Sequence, residues 1–243
     1  MSVATSFRVL VVMVALVGAT TPRAQAPEAQ DRAAAIKASI ATNQAALKQY
    51  SWIETTQISL KGEVKKQEQK QCTYGADGKV QKTPLPGSGT PQPPAAQGSG
   101  GRRGGGLKKK VVENKVEETK EYMDKVAALV QQYVPPDPER LQAAQAAGRL
   151  SVQQASGAAT LTVKDYVKAQ DLLAIGFDAA AKEIRSYKVT SYVEDPKDDG
   201  VVLSVSFANL ADGTNYPQQV MLDVAAKKIQ VKVTNSGYKK AGM

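Results

Sequence analysis

The sequence predicts an α+β fold: a curved antiparallel sheet, an open half-barrel meander of about eight or nine strands, with helices packed on its concave face. Three observations carry this. The last eighty or so residues alternate apolar and polar side chains with period two through successive segments joined by short turns. Two earlier stretches repeat their apolar residues at helical spacing instead. The third is composition: with 42% hydrophobic and 23% charged residues, the chain resembles an ordinary globular protein.

The first element is an address. Arg8 precedes the uncharged apolar run Val9–Val17, and Ala24-Gln25-Ala26 follows as a small-residue cleavage pattern. This is the layout of a secretory signal peptide, because the apolar run is far below the roughly 20 residues a spanning helix needs. Residues 1–26 are therefore expected to be removed, leaving a single domain over 27–243 in the periplasm or secreted. They carry Arg8 and Arg23 and no acid, so the net charge of +9 would fall to +7.

Residues 31–49 read as an amphipathic helix, capped by Asp31 and striped by Ile36, Ile40 and Leu47. Tyr50, Trp52, Ile58 and Leu60 then share a parity, as strand residues do. Lys61-Gly62 supplies a turn, and Val64–Tyr74 reads as a polar return strand with Cys72 on one face. Gly75–Gly78 is a second turn, leading into Lys79–Lys82.

Between Pro84 and Lys110 the apolar pattern disappears and Gly, Pro and Ser dominate. Such a segment cannot bury enough surface to offset its ordering entropy, which predicts a flexible loop interrupting the domain. Its end carries Arg102, Arg103, Lys108, Lys109 and Lys110. Without interleaved aromatics this does not read as a nucleic-acid tract. The functional expectation is weak contact with an anionic membrane surface.

Residues 111–134 return to helical order, with Val112, Val116, Met123, Val126, Val130 and Tyr133 on one stripe. Pro135-Pro136 ends that helix. Asp137-Pro138 starts another, which Gly148 closes, and 151–158 reads as a polar connector. The meander follows. Its inward sets are Leu161 and Val163; Leu173, Ile175 and Phe177; Val189 and Val193; Val201, Leu203, Val205 and Phe207; Val220, Leu222 and Val224; and Ile229, Val231 and Val233. The opposite parity is polar, so one face is wet and the helices must cover the other.

Chemistry is narrowed mainly by absence. There is no histidine, which removes Ser-His-Asp and Cys-His catalysis and His-ligated metals. The single Cys72 removes intramolecular disulfides and cysteine-cluster metal sites. No Walker A, G-x-S-x-G or helix-opening G-x-G-x-x-G pattern occurs. Asp195–Gly200 begins like a calcium loop, but Lys197 holds its third position and Ser206 its twelfth, so it reads as a solvated turn. Ser236-Gly-Tyr-Lys239 matches S-x-x-K close to what reads as a frayed terminus. Glu54, on the Trp52 face, reads as the ion-pair partner of a sheet lysine. No catalytic residue, metal or cofactor is expected.

The order of elements, from signal peptide and helix through two strands and a helical insertion to the meander, resembles the Lol-type periplasmic lipoprotein-carrier fold. It also resembles secreted bacterial proteins of similar layout. The segment Phe207-Ala-Asn-Leu-Ala-Asp-Gly-Thr-Asn-Tyr-Pro217, with Val220–Val224 and Ile229–Val233, is similar to that family's closing hairpins. The resemblance implies an open half-barrel whose concave apolar face, lidded by helices, receives acyl chains of a lipid or lipoprotein. The residues expected to line it are Trp52, Ile58, Leu173, Ile175, Phe177, Leu203, Val205, Phe207 and Leu222, facing Met123, Val126 and Val130. The competing expectation is a non-catalytic structural protein with a sealed core, acting through its basic loop or a sheet edge. Either way the chain is expected to be a monomer without nucleic-acid partners.

Overall fold

The computed structural model describes residues 42–86 and 105–240, apart from residues 135, 156, 179 and 182. A helical segment at 42–47, α1, leads into β1 (Tyr50–Leu60), β2 (Glu63–Tyr74) and β3 (Val80–Pro84). Helices α2 (Gly105–Gln131) and α3 (Pro138–Ala146) follow. The remaining strands are β4 (Leu150–Ala155), β5 (Ala158–Lys164), β6 (Leu172–Asp178), β7 (Glu183–Tyr192), β8 (Gly200–Asn209), β9 (Asn215–Val224) and β10 (Ile229–Lys240).

All ten strands form one antiparallel sheet in the order β3-β2-β1-β10-β9-β8-β7-β6-β5-β4. The sheet is open, with β3 and β4 as its edges. It is a continuous meander from β4 to β10, after which the chain's first strand docks beside its last. Edge-to-edge, nine strand spacings are about 43 Å. The connection from β3 to β4 must return across that width, and α2 at 27 residues is about 40 Å long.

Local rules explain most boundaries. Lys61 and Gly62 both take positive φ (54° and 83°), as a two-residue hairpin turn matching the sheet twist requires. Asp137 caps α3, its carboxylate accepting from Glu139 N–H at 2.9 Å, and Pro138 sits in the first turn.

The structure departs from the sequence reading in four places. The strands number ten, because residues 151–158 are not a connector. Ser151–Ala155 lie in β4, which pairs with β5 from Ala155 opposite Ala158 back to Leu150 opposite Val163. Helix α2 starts at Gly105, inside the segment expected as a loop, and ends at Gln131, short of residue 134. Leu107–Lys110 are strong helix formers, which a composition count dominated by glycine hides. Pro84 belongs to β3. Residues 236–239, expected beside a frayed terminus, lie within β10, which runs to Lys240 against β1. The signal segment, most of helix 31–49, and Arg102 and Arg103 lie outside the described residues, as do the side chains of Lys108, Lys109 and Lys110.

Val126, Leu129 and Tyr133 of the α2 end and Leu141 and Ala144 of α3 share one buried cluster with inward residues of β5 to β10. Polar contacts fix the helix there. The Tyr133 hydroxyl donates to Asp171 Oδ2 at 2.5 Å and lies 2.8 Å from Ser191 Oγ. The Tyr187 hydroxyl donates to the Tyr133 carbonyl. Nearer the sheet's end, the Tyr122 hydroxyl donates to Asp199 Oδ1 at 3.2 Å and Lys125 pairs with Glu194 at 2.6 Å. The amphipathic stripe is thus packed only over its C-terminal half: Val126 is 0% exposed and Val116 is 64% exposed.

Candidate functional site

Direct cross-strand partners share a sheet face, so the register turns the strands into rows of side chains. One row runs Val163, Leu173, Val189, Leu203, Leu222, Val231, Ile58, Lys66 from β5 through β10 and β1 to β2. Its neighbour runs Leu161, Ile175, Tyr187, Val205, Val220, Val233, Thr56, Glu68. In both, burial changes along the row. The β5–β8 residues and Val220 on β9 are buried, while Leu222, Val231, Val233 and Ile58 are only partly buried, packed against the cluster from outside it. Apolar character ends at Lys66 on β2 in the first row and already at Thr56 on β1 in the second. The result is a half-covered apolar strip over β9, β10 and β1.

The far rim of the strip is charged but mostly compensated. Glu54 and Lys82 form a two-oxygen ion pair at 2.7 and 2.8 Å. Glu68 is shared by Lys66 and Lys70, and the Lys66 ammonium holds its carboxyl below the ordinary carboxylate range. The ion pair of Glu54 is thus with a lysine of β3, as its strand position suggested.

Beyond the rim, toward the other end of β1, lies an aromatic group. Tyr238 stacks on Trp52 with ring centroids 5.6 Å apart, and Tyr74 and Tyr216 join it. Gly237, at φ 62°, is the extra residue of a bulge that turns Tyr238 toward Trp52. Trp52 Nε1 donates to Asn235 Oδ1 at 3.1 Å. Cys72, opposite Trp52, is 0% exposed, and burial pushes its thiol up to about 11. That removes the thiolate at neutral pH, so Cys72 acts as a small core residue.

The expected lining residues therefore separate into three groups. Val126, Leu173, Ile175, Leu203 and Val205 are sealed in the main cluster. Trp52 is buried in the aromatic group. Ile58, Leu222, Met123, Val130, Phe177 and Phe207 are half-buried at the cluster's border. Of these, the register brings Ile58 and Leu222 together on the strip, whereas Phe177 and Phe207 lie toward the opposite end of their strands. Val231 bridges Leu222 to Ile58 and Val233 bridges Val220 to Thr56, and neither is among the residues expected to line the face. Their parity was visible; the pairing of β10 with β1 across most of the chain was not.

Asp171, a buried acid in the β5–β6 connection, has a structural set of partners. Besides the Tyr133 hydroxyl it accepts from the N–H groups of Tyr166, Val167 and Lys168 at 2.5, 2.9 and 2.8 Å. Among the described residues no buried side-chain nitrogen or oxygen lacks a partner, and no three His, Cys, Asp or Glu residues come together as a metal site. No described helix is long and apolar enough to cross a membrane.

No family model, curated protein or solved structure matches this chain.

Proposed function

We propose that this protein is an exported, non-catalytic carrier that holds the hydrocarbon chain of a lipid or lipoprotein on the half-covered strip. In this reading the sheet curves as a half-barrel around α2 and α3, and the chain lies over Leu222, Val231, Val233 and Ile58. The observation that carries it is the fall in burial along the row from Val163 to Ile58, repeated at Val233 in the row beside it. Val163, Leu173, Val189 and Leu203 are sealed on β5–β8, whereas Leu222, Val231 and Ile58 are left partly open where the same row crosses β9, β10 and β1. An apolar strip bordered by a satisfied polar rim suits the tail of an amphiphile better than a reacting substrate.

A fluorescent long-chain fatty acid tests it. Ile58→Asn and Val231→Asn should each weaken uptake about tenfold or more while shifting the melting temperature little, since these side chains are already partly wet. Val126→Phe, in the sealed half, should overpack and cost roughly 1–3 kcal/mol without changing dye affinity. No uptake by the wild type, or equal loss in all three variants, contradicts the reading. A second reading, a structural protein with a sealed core, is favoured by the complete burial of Val126, Leu173 and Ile175; it predicts no dye uptake at all.

A further inference from the structure

The hairpin turns β1–β2 and β9–β10 lie at the same end of the sheet, joined by a hydrogen bond from Lys61 N–H to the Lys228 carbonyl at 2.8 Å. Two of the three large apolar residues that stand exposed among the described ones are at this corner: Leu60, 36% exposed, and Val64, 50% exposed. Around them are Lys61, Lys227 and Lys228, together with Lys65, which Glu63 takes at 2.5 Å, and Lys66, which pairs with Glu68. Among the described residues no carboxylate pairs with Lys61, Lys227 or Lys228. Lys227 lies over the Tyr122 ring, 5.2 Å from its centroid.

We infer that this corner docks the protein on an anionic lipid bilayer. Leu60 and Val64 project from opposite faces at the tip of the β1–β2 hairpin, so a bilayer that takes the tip end-on meets both at its acyl boundary and the uncompensated lysines at its phosphate headgroups. The third exposed residue, Val116, stands on α2 beside Glu117, Glu118 and Glu121 and takes no part. The β7–β8 turn is also acidic, with Glu194, Asp195, Asp198 and Asp199 against Lys197. It adjoins the β9–β10 turn, where the Ala225 N–H donates to the Gly200 carbonyl at 3.0 Å. Glu194 is taken by Lys125 at 2.6 Å and Asp199 by the Tyr122 hydroxyl at 3.2 Å, so the remaining acids, Asp195 and Asp198, tilt the molecule onto its β1–β2 side. Docking does not depend on the strip holding a ligand.

The test is flotation of the full chain with vesicles of phosphatidylglycerol and phosphatidylethanolamine, compared with phosphatidylcholine alone. Every variant carries the same residues 1–41, so any contribution from them is common to all. Binding should favour the anionic vesicles and weaken as salt rises. Lys61→Asn and Lys228→Asn, chosen because asparagine tolerates the positive φ of both sites, should each cost about fivefold in vesicle affinity. Val64→Thr should cost a further severalfold, and Lys239→Asn, at the opposite end of the sheet, should cost nothing. The inference is overturned if the wild type does not float. It is overturned equally if the two lysine variants bind like wild type, or if Val64→Thr and Leu60→Thr leave affinity unchanged, which would make the corner a general polyanion patch. Fatty-acid uptake measured without vesicles separates failure of this docking from failure of the carrier reading.

Discussion

Asp171 shows how much one residue organises. Its carboxylate satisfies three successive backbone N–H groups and the Tyr133 hydroxyl, joining the β5–β6 connection to the end of α2. The connection needs that help: Asp165 and Gln170 both take positive φ, 50° and 66°. Asp171→Ala would leave these donors buried and unpaired, so urea unfolding should register a loss of roughly 3 kcal/mol or more. Asp171→Asn, which keeps one acceptor oxygen, should lose less. A change below about 1 kcal/mol for Asp171→Ala would contradict the role. None of this was legible in the sequence, where Asp171 is one acid in a polar turn. Burial of Cys72 and the ion pairing of Glu54 were legible, because both follow from strand parity and the composition of neighbouring strands. The partner of Glu54, Lys82, was not, since nothing local specifies which lysine of β2 or β3 faces it.

At the level of elements, alternation found every strand with several inward apolar residues and missed the one without. β4 has only Leu150 and Val152 turned inward, and its strand conformation is imposed by β5 rather than by its own pattern. The same physics explains α2. Its apolar stripe at 3.6 spacing predicts a helix, but a stripe does not state how much of itself is covered. Polar contacts of Tyr122, Lys125 and Tyr133 decide that, clamping the C-terminal half to the sheet and leaving Val116 in solvent. Near the C-terminus, Gly237 follows the last alternating set and carries no strand signal of its own in the sequence. Its positive φ lets the strand bulge, and the bulge is what seats Tyr238 on Trp52.

For the whole molecule, the decisive fact is the docking of β1 beside β10, a pairing between the two ends of the chain. Local signals cannot encode it, yet it builds the strip, because Ile58 meets Val231 only there. The titration behaviour also belongs to the molecule as a whole. There is no histidine to change charge near neutrality. Burial, with the Asp199 carboxylate beside it, pushes Tyr122 up to about 12; burial also raises Tyr133, Tyr187 and Tyr238, and Cys72 to about 11. Groups with raised folded values hold their protons more tightly when folded. Their stabilisation is complete below the unfolded values of about 9 for the thiol and about 10 for the phenols, and drains as pH rises through the folded ones. Stability should be flat from about pH 7 to 9 and fall steeply between about pH 10 and 12. A fall confined to the range below pH 9 would contradict this.

The central claim, that the half-covered strip carries a hydrocarbon chain, is met most directly by native mass spectrometry of the protein isolated from its own host. The account predicts a population heavier than the polypeptide by one amphiphile, lost in Ile58→Asn. A spectrum holding only the bare polypeptide mass, before and after incubation with lipid, would contradict it.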